Sequence, residues 1–212
     1  MDALRGVFFI TGTDTGVGKT YWTTELLREA NKANIRSLGI KPVAAGATQT
    51  AAGWRNDDAL ALQAVSSVRL PYERINPVCL PLAASPHLAA KAAAVEIDSY
   101  SLAAQVRTTA LQSELALVEG AGGWLTPISW TETMADFAVQ LGAPVILVVG
   151  VRLGCLNHAQ LTADAVRARG LAIAGWIANE IANDHGGCQA QVDFLSHRLG
   201  LSPLRKGSVL SR

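Results

Sequence analysis

The stretch FFITGTDTGVGKTYW, residues 8–22, decides how the chain is read. Its close, Gly18-Lys19-Thr20, is that of a phosphate-binding loop, in which a glycine and four further residues precede Gly-Lys-Ser/Thr. That spacing asks for a glycine at position 13, where the chain has Thr13; the glycine is Gly12, one residue earlier. Spacing alone therefore leaves a glycine-rich turn as a competing account. Context favours the loop, because an apolar strand-like run, VFFIT (7–11), enters it and a helical stretch (19–33) leaves it. Glycines let backbone N–H groups turn inward around phosphate oxygens, and the helix N-terminus adds its dipole. In that role Lys19 reaches the β- and γ-phosphates and the Thr20 hydroxyl holds magnesium.

Three more runs resemble VFFIT: LALVEG (115–120), PVILVVG (144–150) and IAGWIAN (173–179), with RSLGIKPV (36–43) as a weaker fifth. They are rich in Val, Ile and Leu and do not alternate, as expected of strands covered on both faces of a parallel sheet. Helical stretches lie between them: 19–33, 57–65, 99–112, 133–142 and 157–170. The second opens on an aspartate suited to an N-cap, and the last has Asn157 as a capping residue, a basic last turn and Gly170 at its end. Strand and helix alternate throughout, which predicts an α/β fold with a mostly parallel sheet. Ligands of such sheets bind at the carboxyl ends of the strands.

Composition narrows the classes. The chain has 212 residues, half of them hydrophobic, which suits one large domain. A formal charge of +1 without blocks of like charge gives no reason to expect nucleic acid or a basic membrane face. No run reaches the 18 apolar residues of a membrane span, and the first residues do not read as a secretory leader. Three scattered cysteines, Cys79, Cys155 and Cys188, argue against a disulfide framework, so the cytoplasm is the expected location. Cys155, without a His/Asp partnership in the spacing, reads as packing at a helix start. His87, His158, His185 and His197 lack metal-ligand spacing and read as surface or structural residues.

Several polar residues fall where strands should end. Glu119 precedes a Gly-Ala-Gly-Gly turn, where a carboxylate either binds magnesium or caps the turn. Lys41, ahead of Pro42, is either a snorkelling lysine or a ligand for an anionic substrate group or transferring phosphoryl oxygen. Of Asp57 and Asp58, one serves as a cap and the other is available as a second acid near magnesium. Asn179 either reads a base edge or belongs to a turn.

The motifs together resemble the dethiobiotin synthetase family. GTDTGVGKT (12–20) resembles that family's loop, which carries the same extra residue, and KPVAAG (41–46) resembles its KPVxSG. RNDDALALQ (55–63), INPVCL (75–80), SPH (85–87), VEGAGGWLTPI (118–128), PVILVVGVRLGCLNHAQLT (144–162) and GWIAN (175–179) follow in family order, so the resemblance spans roughly residues 5–200. It implies a P-loop NTPase-like single domain with a mostly parallel sheet flanked by helices on both faces. It also implies a ligase of biotin biosynthesis, an ATP- and magnesium-dependent cyclo-ligase that joins 7,8-diaminononanoate and carbon dioxide into dethiobiotin. The family works as a homodimer with a shared active site.

By resemblance, Lys19 and Lys41 neutralise the carbamate and the transferring phosphoryl group, and Thr20, Asp58 and Glu119 gather magnesium. Gly16, Val17, Gly18, Lys19, Thr20 and Tyr21, with Glu119, Gly120, Ala121 and Gly122, line the phosphates. Asn179 with Glu180 addresses adenine, and Thr15 lies near the carbamate. Gly154, Cys155 and Asn157 of the partner subunit's LGCLN segment receive the substrate's carboxylate tail.

Three departures from the family pattern stand out. Gly16 takes a position often held by glutamate, and Ala45 replaces the serine of KPVxSG. The family continues into a Gly-Glu-Ile/Leu-Pro segment that helps enclose adenine, whereas this chain reads LSPLRKGSVLSR (201–212), so a domain over 1–212 shortened at its C-terminus is expected. Two alternatives of another kind are a positioning-type switch ATPase, whose signature lysine falls on Asp14, and a truncated inactive homologue. Cobyrinate amidase relatives need a further glutamine-hydrolysing domain, for which the length leaves no room.

Overall fold

The computed structural model describes residues 4–181 and 188–207; His185 lies outside them. In chain order the elements are β1 (Gly6–Gly12), α1 (Lys19–Lys32), β2 (Ser37–Ile40), β3 (Val43–Ala45), β4 (Thr48–Thr50), β5 (Gly53–Arg55), α2 (Asp57–Val65), α3 (Tyr72–Ile75) and β6 (Val78–Leu80). Then follow α4 (Pro86–Ala92), α5 (Ser99–Ala110), β7 (Leu115–Gly123), α6 (Met134–Leu141), β8 (Val145–Val151), α7 (Cys155–Ala168), β9 (Ile173–Glu180) and α8 (Cys188–Leu199).

Five strands form one parallel sheet in the order β2-β7-β1-β8-β9. β1 lies at its centre. The chain passes from β1 to the edge strand β2, returns to fill the gap between them with β7, then crosses to the other side of β1 for β8 and β9. The crevice at this reversal opens beyond the carboxyl end of β1, where the glycine-rich loop begins. All seven residues of β8 are buried, as the lack of alternation in its sequence implies.

The two-residue period of β1 divides the core. Phe8 and Ile10 pack with Leu26 and Leu27 of α1 and Leu62 of α2 on one face. Phe9 packs with Val106 of α5 and Phe137 of α6 on the other. A third cluster joins β8 and β9 to α7 and α8 around Trp176, Ala159, Ala163 and Leu195. Residues 201–207 add to it: the Trp176 indole N–H donates to the Leu201 carbonyl (2.8 Å), and the Leu204 N–H to the Trp176 carbonyl (2.7 Å).

The four strong apolar runs are β1, β7, β8 and β9, and the predicted helices are α1, α2, α5, α6 and α7. The weaker run at 36–43 is two strands in two sheets. Proline has no N–H to offer a ladder, and at Lys41-Pro42 the chain leaves β2 and re-enters as β3, which pairs with β6. Lys41 therefore follows the strand rather than ending it, with its N–H donated to the Ile75 carbonyl. Glu119 does not end β7 either; the expected turn continues as strand to Gly123, with a register shift opposite β1 between Ile10 and Gly12.

Two caps are corrected. The N-cap of α2 is Asn56, whose side chain accepts the Ala59 N–H, so Asp57 and Asp58 occupy the first turn. The N-cap of α7 is Gly154, so Asn157 lies inside the helix. Capping side chains are worth about 1 kcal/mol. Asn56→Ala is expected to lower the unfolding free energy by about that amount in urea titration. The segments β4 to β6, α3, α4 and α8 had no counterpart in the sequence reading; all but α4 and α8 span three or four residues, too few to show a period.

Candidate active site

β1 delivers the chain into the loop, and α1 begins at Lys19 with Gly18 as its N-cap. Gly18 stands at φ 91, and a Cβ there would fall 2.3 Å from the Asn179 side-chain nitrogen, so a larger residue is strained and displaces the Asn179 side chain. Gly16 also has positive φ (73), with open space beside it. Val17 tucks its side chain into the core and offers its carbonyl to the Asn179 amide (2.9 Å).

Two lysines meet in this crevice. Lys41 is 4% exposed and Glu119 fully buried. The Lys41 ammonium donates to Glu119 Oε1 at 2.7 Å, to Asp58 Oδ2 at 2.9 Å and to the Gly120 carbonyl at 3.4 Å. The Thr20 hydroxyl donates to the same Glu119 Oε1 at 2.8 Å. Burial by itself opposes the charge on Lys41, but Glu119 and Asp58 outweigh it and hold the ammonium above the ordinary lysine value. Desolvation opposes the Asp58 charge too, and the Lys41 ammonium prevails, holding that carboxyl below its usual range.

Lys19 has the opposite balance. Its Nζ donates to the Asp14 carbonyl at 3.0 Å and has no carboxylate of its own. Burial and then the nearby Lys41 ammonium lower its pKa to about 8, against partial support from Glu119, Asp58 and Asp14. It is a cation waiting for an anion.

Glu119 Oε2 is buried without a hydrogen-bond partner. An orphaned carboxylate oxygen beside the Thr20 hydroxyl and Asp58 is a donor set that suits a hard cation. No cluster of three His, Cys, Asp or Glu side chains forms a self-sufficient metal site among the described residues. Thr20, Asp58 and Glu119 thus fit magnesium, which takes one or two carboxylates and leaves its other positions to water and phosphate oxygens.

Two clefts share this wall. One, of about 250 Å³, is bounded by Thr15, Gly16, Gly18, Lys19, Thr20, Tyr21, Lys41, Asp58 and Gly122. The other, of about 560 Å³, shares Thr15, Lys41, Asp58 and Gly122 and extends over Ala45, Asn56, Ser85, Ala121 and Thr126. Most of the expected site residues are therefore together. Glu180 lines a third cleft of about 280 Å³ with Trp22, Gln189, Arg205 and Lys206. Gly154, Cys155 and Asn157 line none of the three. The Cys155 side chain is buried in the third core cluster, as its reading as a packing residue implied.

Sequence reading missed Asn56, Ser85, Thr126 and Trp22. Asn56 was legible as a cap, standing just before an acidic first turn. Ser85, whose hydroxyl meets His87 Nδ1 at 3.0 Å, sits in a quoted motif without an assigned role. Trp22, whose indole N–H donates to Asn179 Oδ1 at 3.0 Å, carries no local signal, because its partner lies 157 residues away.

Among the described residues no helix is long and apolar enough to cross a membrane. A family model described as an AAA domain matches residues 6–209. The ATP-dependent dethiobiotin synthetase BioD of Cellvibrio japonicus is 47% identical over 195 residues, covering 92% of this chain and 86% of that protein. The protein of the same name from Pseudomonas aeruginosa is 48% identical over 193 residues, covering 91% and 85%. Among solved structures, the kinase domain of the Escherichia coli tyrosine kinase ETK aligns with a TM-score of 0.54 at 16% identity over 86% of this chain and 72% of that one. The signal recognition particle 54 kDa protein of Aeropyrum pernix, solved with GDP, aligns with a TM-score of 0.55 at 15% identity over 94% and 40%. These two likenesses concern the fold, a parallel sheet flanked by helices around a phosphate loop. Identity near one half over nine-tenths of the chain decides the family: this chain belongs to the ATP-dependent dethiobiotin synthetases.

Proposed function

We propose that the protein closes the ureido ring of dethiobiotin from 7,8-diaminononanoate, carbon dioxide and ATP, as a ligase of biotin biosynthesis. The observation that carries this reading is the wall shared by the two clefts. Lys41 faces both a phosphate-sized space and a larger one able to take a diamine.

The substrate supplies both attacking groups, so positioning and charge neutralisation are what the protein contributes. One amine takes up carbon dioxide and loses a proton, giving a carbamate. The carbamate oxygen attacks the γ-phosphorus of ATP, ADP leaves, and a carbamic–phosphoric anhydride forms. The second amine attacks the carbamoyl carbon, the ring closes, and phosphate leaves.

In this scheme the loop N–H groups and Lys19 hold the β- and γ-phosphates. Lys41 reaches from the carbamate to the transferring phosphoryl oxygens, and Thr15 flanks the carbamate. Thr20, Asp58 and Glu119 hold magnesium, which when bound neutralises phosphate charge. Ala45 removes a hydroxyl from the substrate side of the larger cleft. In a homodimer the N-terminus of the partner's α7, through the backbone around Gly154, Cys155 and Asn157, faces the substrate's carboxylate tail. The test is to supply purified protein with diaminononanoate, bicarbonate and magnesium-ATP and follow ADP and dethiobiotin together. ADP without dethiobiotin, or neither product from folded protein, overturns the reading.

The Lys19 balance gives binding a pH dependence. Phosphate oxygens stabilise the ammonium form and raise its pKa, so binding takes up a proton wherever free Lys19 is neutral. Below about pH 8 affinity for ATP stays flat. Between pH 8 and 9 calorimetry is expected to show it fall about fivefold, the behaviour of one linked proton. An affinity that rises over that interval contradicts the assignment.

A further inference from the structure

Ser85 and Pro86 line the larger cleft, of about 560 Å³, and have no part in the reaction as written. Ser85 is the N-cap of α4, a place where a serine oxygen ordinarily turns back to accept a helix N–H. This one makes no such bond. Its hydroxyl meets His87 Nδ1 at 3.0 Å instead. The imidazole is itself held. The His87 backbone N–H donates to the Pro127 carbonyl at 3.2 Å, and the ring stands perpendicular to that of Trp130, with centroids 5.2 Å apart. Both Ser85 and His87 are half-buried.

The other polar side chains of the cleft have different duties. Asp58 is paired with Lys41. Asn56 caps α2, and the Thr126 hydroxyl oxygen accepts the Gly123 N–H at 2.8 Å. Thr15 lies on the wall shared with the phosphate cleft. Ser85 differs in that its hydroxyl has a partner, His87, that does not line the cleft. A neutral imidazole with its proton on Nε2 accepts at Nδ1, and a serine that donates there keeps its oxygen lone pairs for another group. Ring closure needs one substrate amine as a neutral nucleophile. A carboxylate beside that amine favours the ammonium form, which has no lone pair to give. A neutral hydroxyl oxygen can hold an N–H without that penalty.

We propose that the Ser85 hydroxyl donates to His87 Nδ1, turns its oxygen to the cleft and there accepts an N–H of the ring-closing amine. Ser85 is then a substrate-binding residue, and His87 a positioning residue that acts through it. This rests on the reading of the larger cleft as the diamine site. With one N–H held, the nitrogen lone pair is free for the carbamoyl carbon. The C–N bond forms, the bond from that carbon to the phosphate oxygen breaks, and the amine's other proton leaves with the phosphate. Formation of the anhydride, in which this amine takes no part, does not need Ser85.

The experiment follows ADP and dethiobiotin together in the wild type and its variants, with KM for both substrates. The wild type is expected to form the two products in equal amounts. Ser85→Ala is expected to raise KM for diaminononanoate about fivefold, the worth of one neutral hydrogen bond, and to leave KM for ATP unchanged. It is also expected to release at least about twice as much ADP as dethiobiotin, because an anhydride whose amine is not aligned is lost to water, which returns carbamate and phosphate. His87→Phe keeps a ring beside Trp130 without the nitrogen, and is expected to uncouple the products in the same way. His87→Asn places an acceptor near the Nδ1 position and is expected to restore coupling. The double variant Ser85→Ala with His87→Phe is expected to be no worse than Ser85→Ala alone. A merely structural defect would lower the folded fraction or the turnover and leave the ratio of products at its wild-type value. The proposal is overturned if Ser85→Ala forms the products in equal amounts at unchanged KM for diaminononanoate, or if the two single losses multiply in the double variant. If the wild type forms no dethiobiotin, the functional reading fails and calorimetry decides the contact by itself. Diaminononanoate binding weakened about fivefold by Ser85→Ala upholds it, and unchanged affinity overturns it.

Discussion

Lys41→Met is expected to lower kcat for dethiobiotin formation by about 10³-fold while leaving KM for ATP within a few-fold of wild type. Loss of one preorganised donor to a developing anion costs about 10²–10³ in kcat, and in the proposed mechanism Lys41 serves two such anions, the carbamate and the transferring phosphoryl group. The same substitution carries a second, independent cost. Glu119 is fully buried and Lys41 is its closest cationic partner, at 2.7 Å. Removing one member of a buried pair leaves an uncompensated charge and destabilises by about 3–5 kcal/mol. Chemical denaturation should therefore show a clear loss in the absence of any ligand. The double variant Lys41→Met with Glu119→Gln should recover much of that stability and none of the turnover. A single variant with full turnover removes Lys41 from the mechanism.

Lys19→Met produces the opposite pattern in stability and a similar collapse in activity. Lys19 is 7% exposed, and its ammonium is opposed by burial and by Lys41. A lysine whose folded pKa is depressed binds fewer protons in the folded than in the unfolded state, so stability rises with pH between about 8 and 10.5, and below pH 8 the charged group is a net burden. Replacing it with an apolar chain of similar length is expected to raise the unfolding free energy at pH 7 by roughly 1–2 kcal/mol, after the lost bond to the Asp14 carbonyl is deducted. That pH-dependent gain between 8 and 10.5 should disappear in the variant. Affinity for ATP should fall about 10²-fold, because a buried cation facing phosphates acts in a low dielectric. Unchanged stability at pH 7 would mean the depressed pKa is absent. Unchanged ATP affinity would remove Lys19 from the phosphate site.

The two lysines thus look alike in sequence, each beside a turn after a β-strand, and differ in what folding does to them. Lys41 was expected as a strand-end cation and is instead just past β2, where Pro42 turns the chain and Asn76 accepts no part of the load but donates to the Lys41 carbonyl at 2.7 Å. That anchored backbone aims the ammonium inward at Glu119 and Asp58. Lys19 sits on the first turn of α1, where the helix N-terminus repels a cation and attracts phosphate. Stability that is given up in the empty site is recovered when an anion binds.

Much of the architecture was present in local patterns. Continuous apolar runs at 7–11, 115–120, 144–150 and 173–179 predicted strands covered on both faces, because burial on two sides removes the need for alternation. Gly18-Lys19-Thr20 between a strand and a helix predicted the loop, since a backbone turned inward needs glycine and a phosphate needs a cation at that reach. The extra residue of GTDTGVGKT resembled a family mark, and relatives near one-half identity show that family. What the chain could not display locally were meetings between distant residues. Glu119 meets Lys41 across 78 positions and Trp22 meets Asn179 across 157, each because the strand order places β7 and β9 on opposite sides of β1. Strand order follows from how helices cover the two faces of the sheet, a property of the whole packed core and of no single segment. For the same reason only the tertiary structure decided that one lysine is paired and its neighbour is not, since the difference lies in which carboxylates the fold brings within 3 Å of each ammonium and which it leaves farther away.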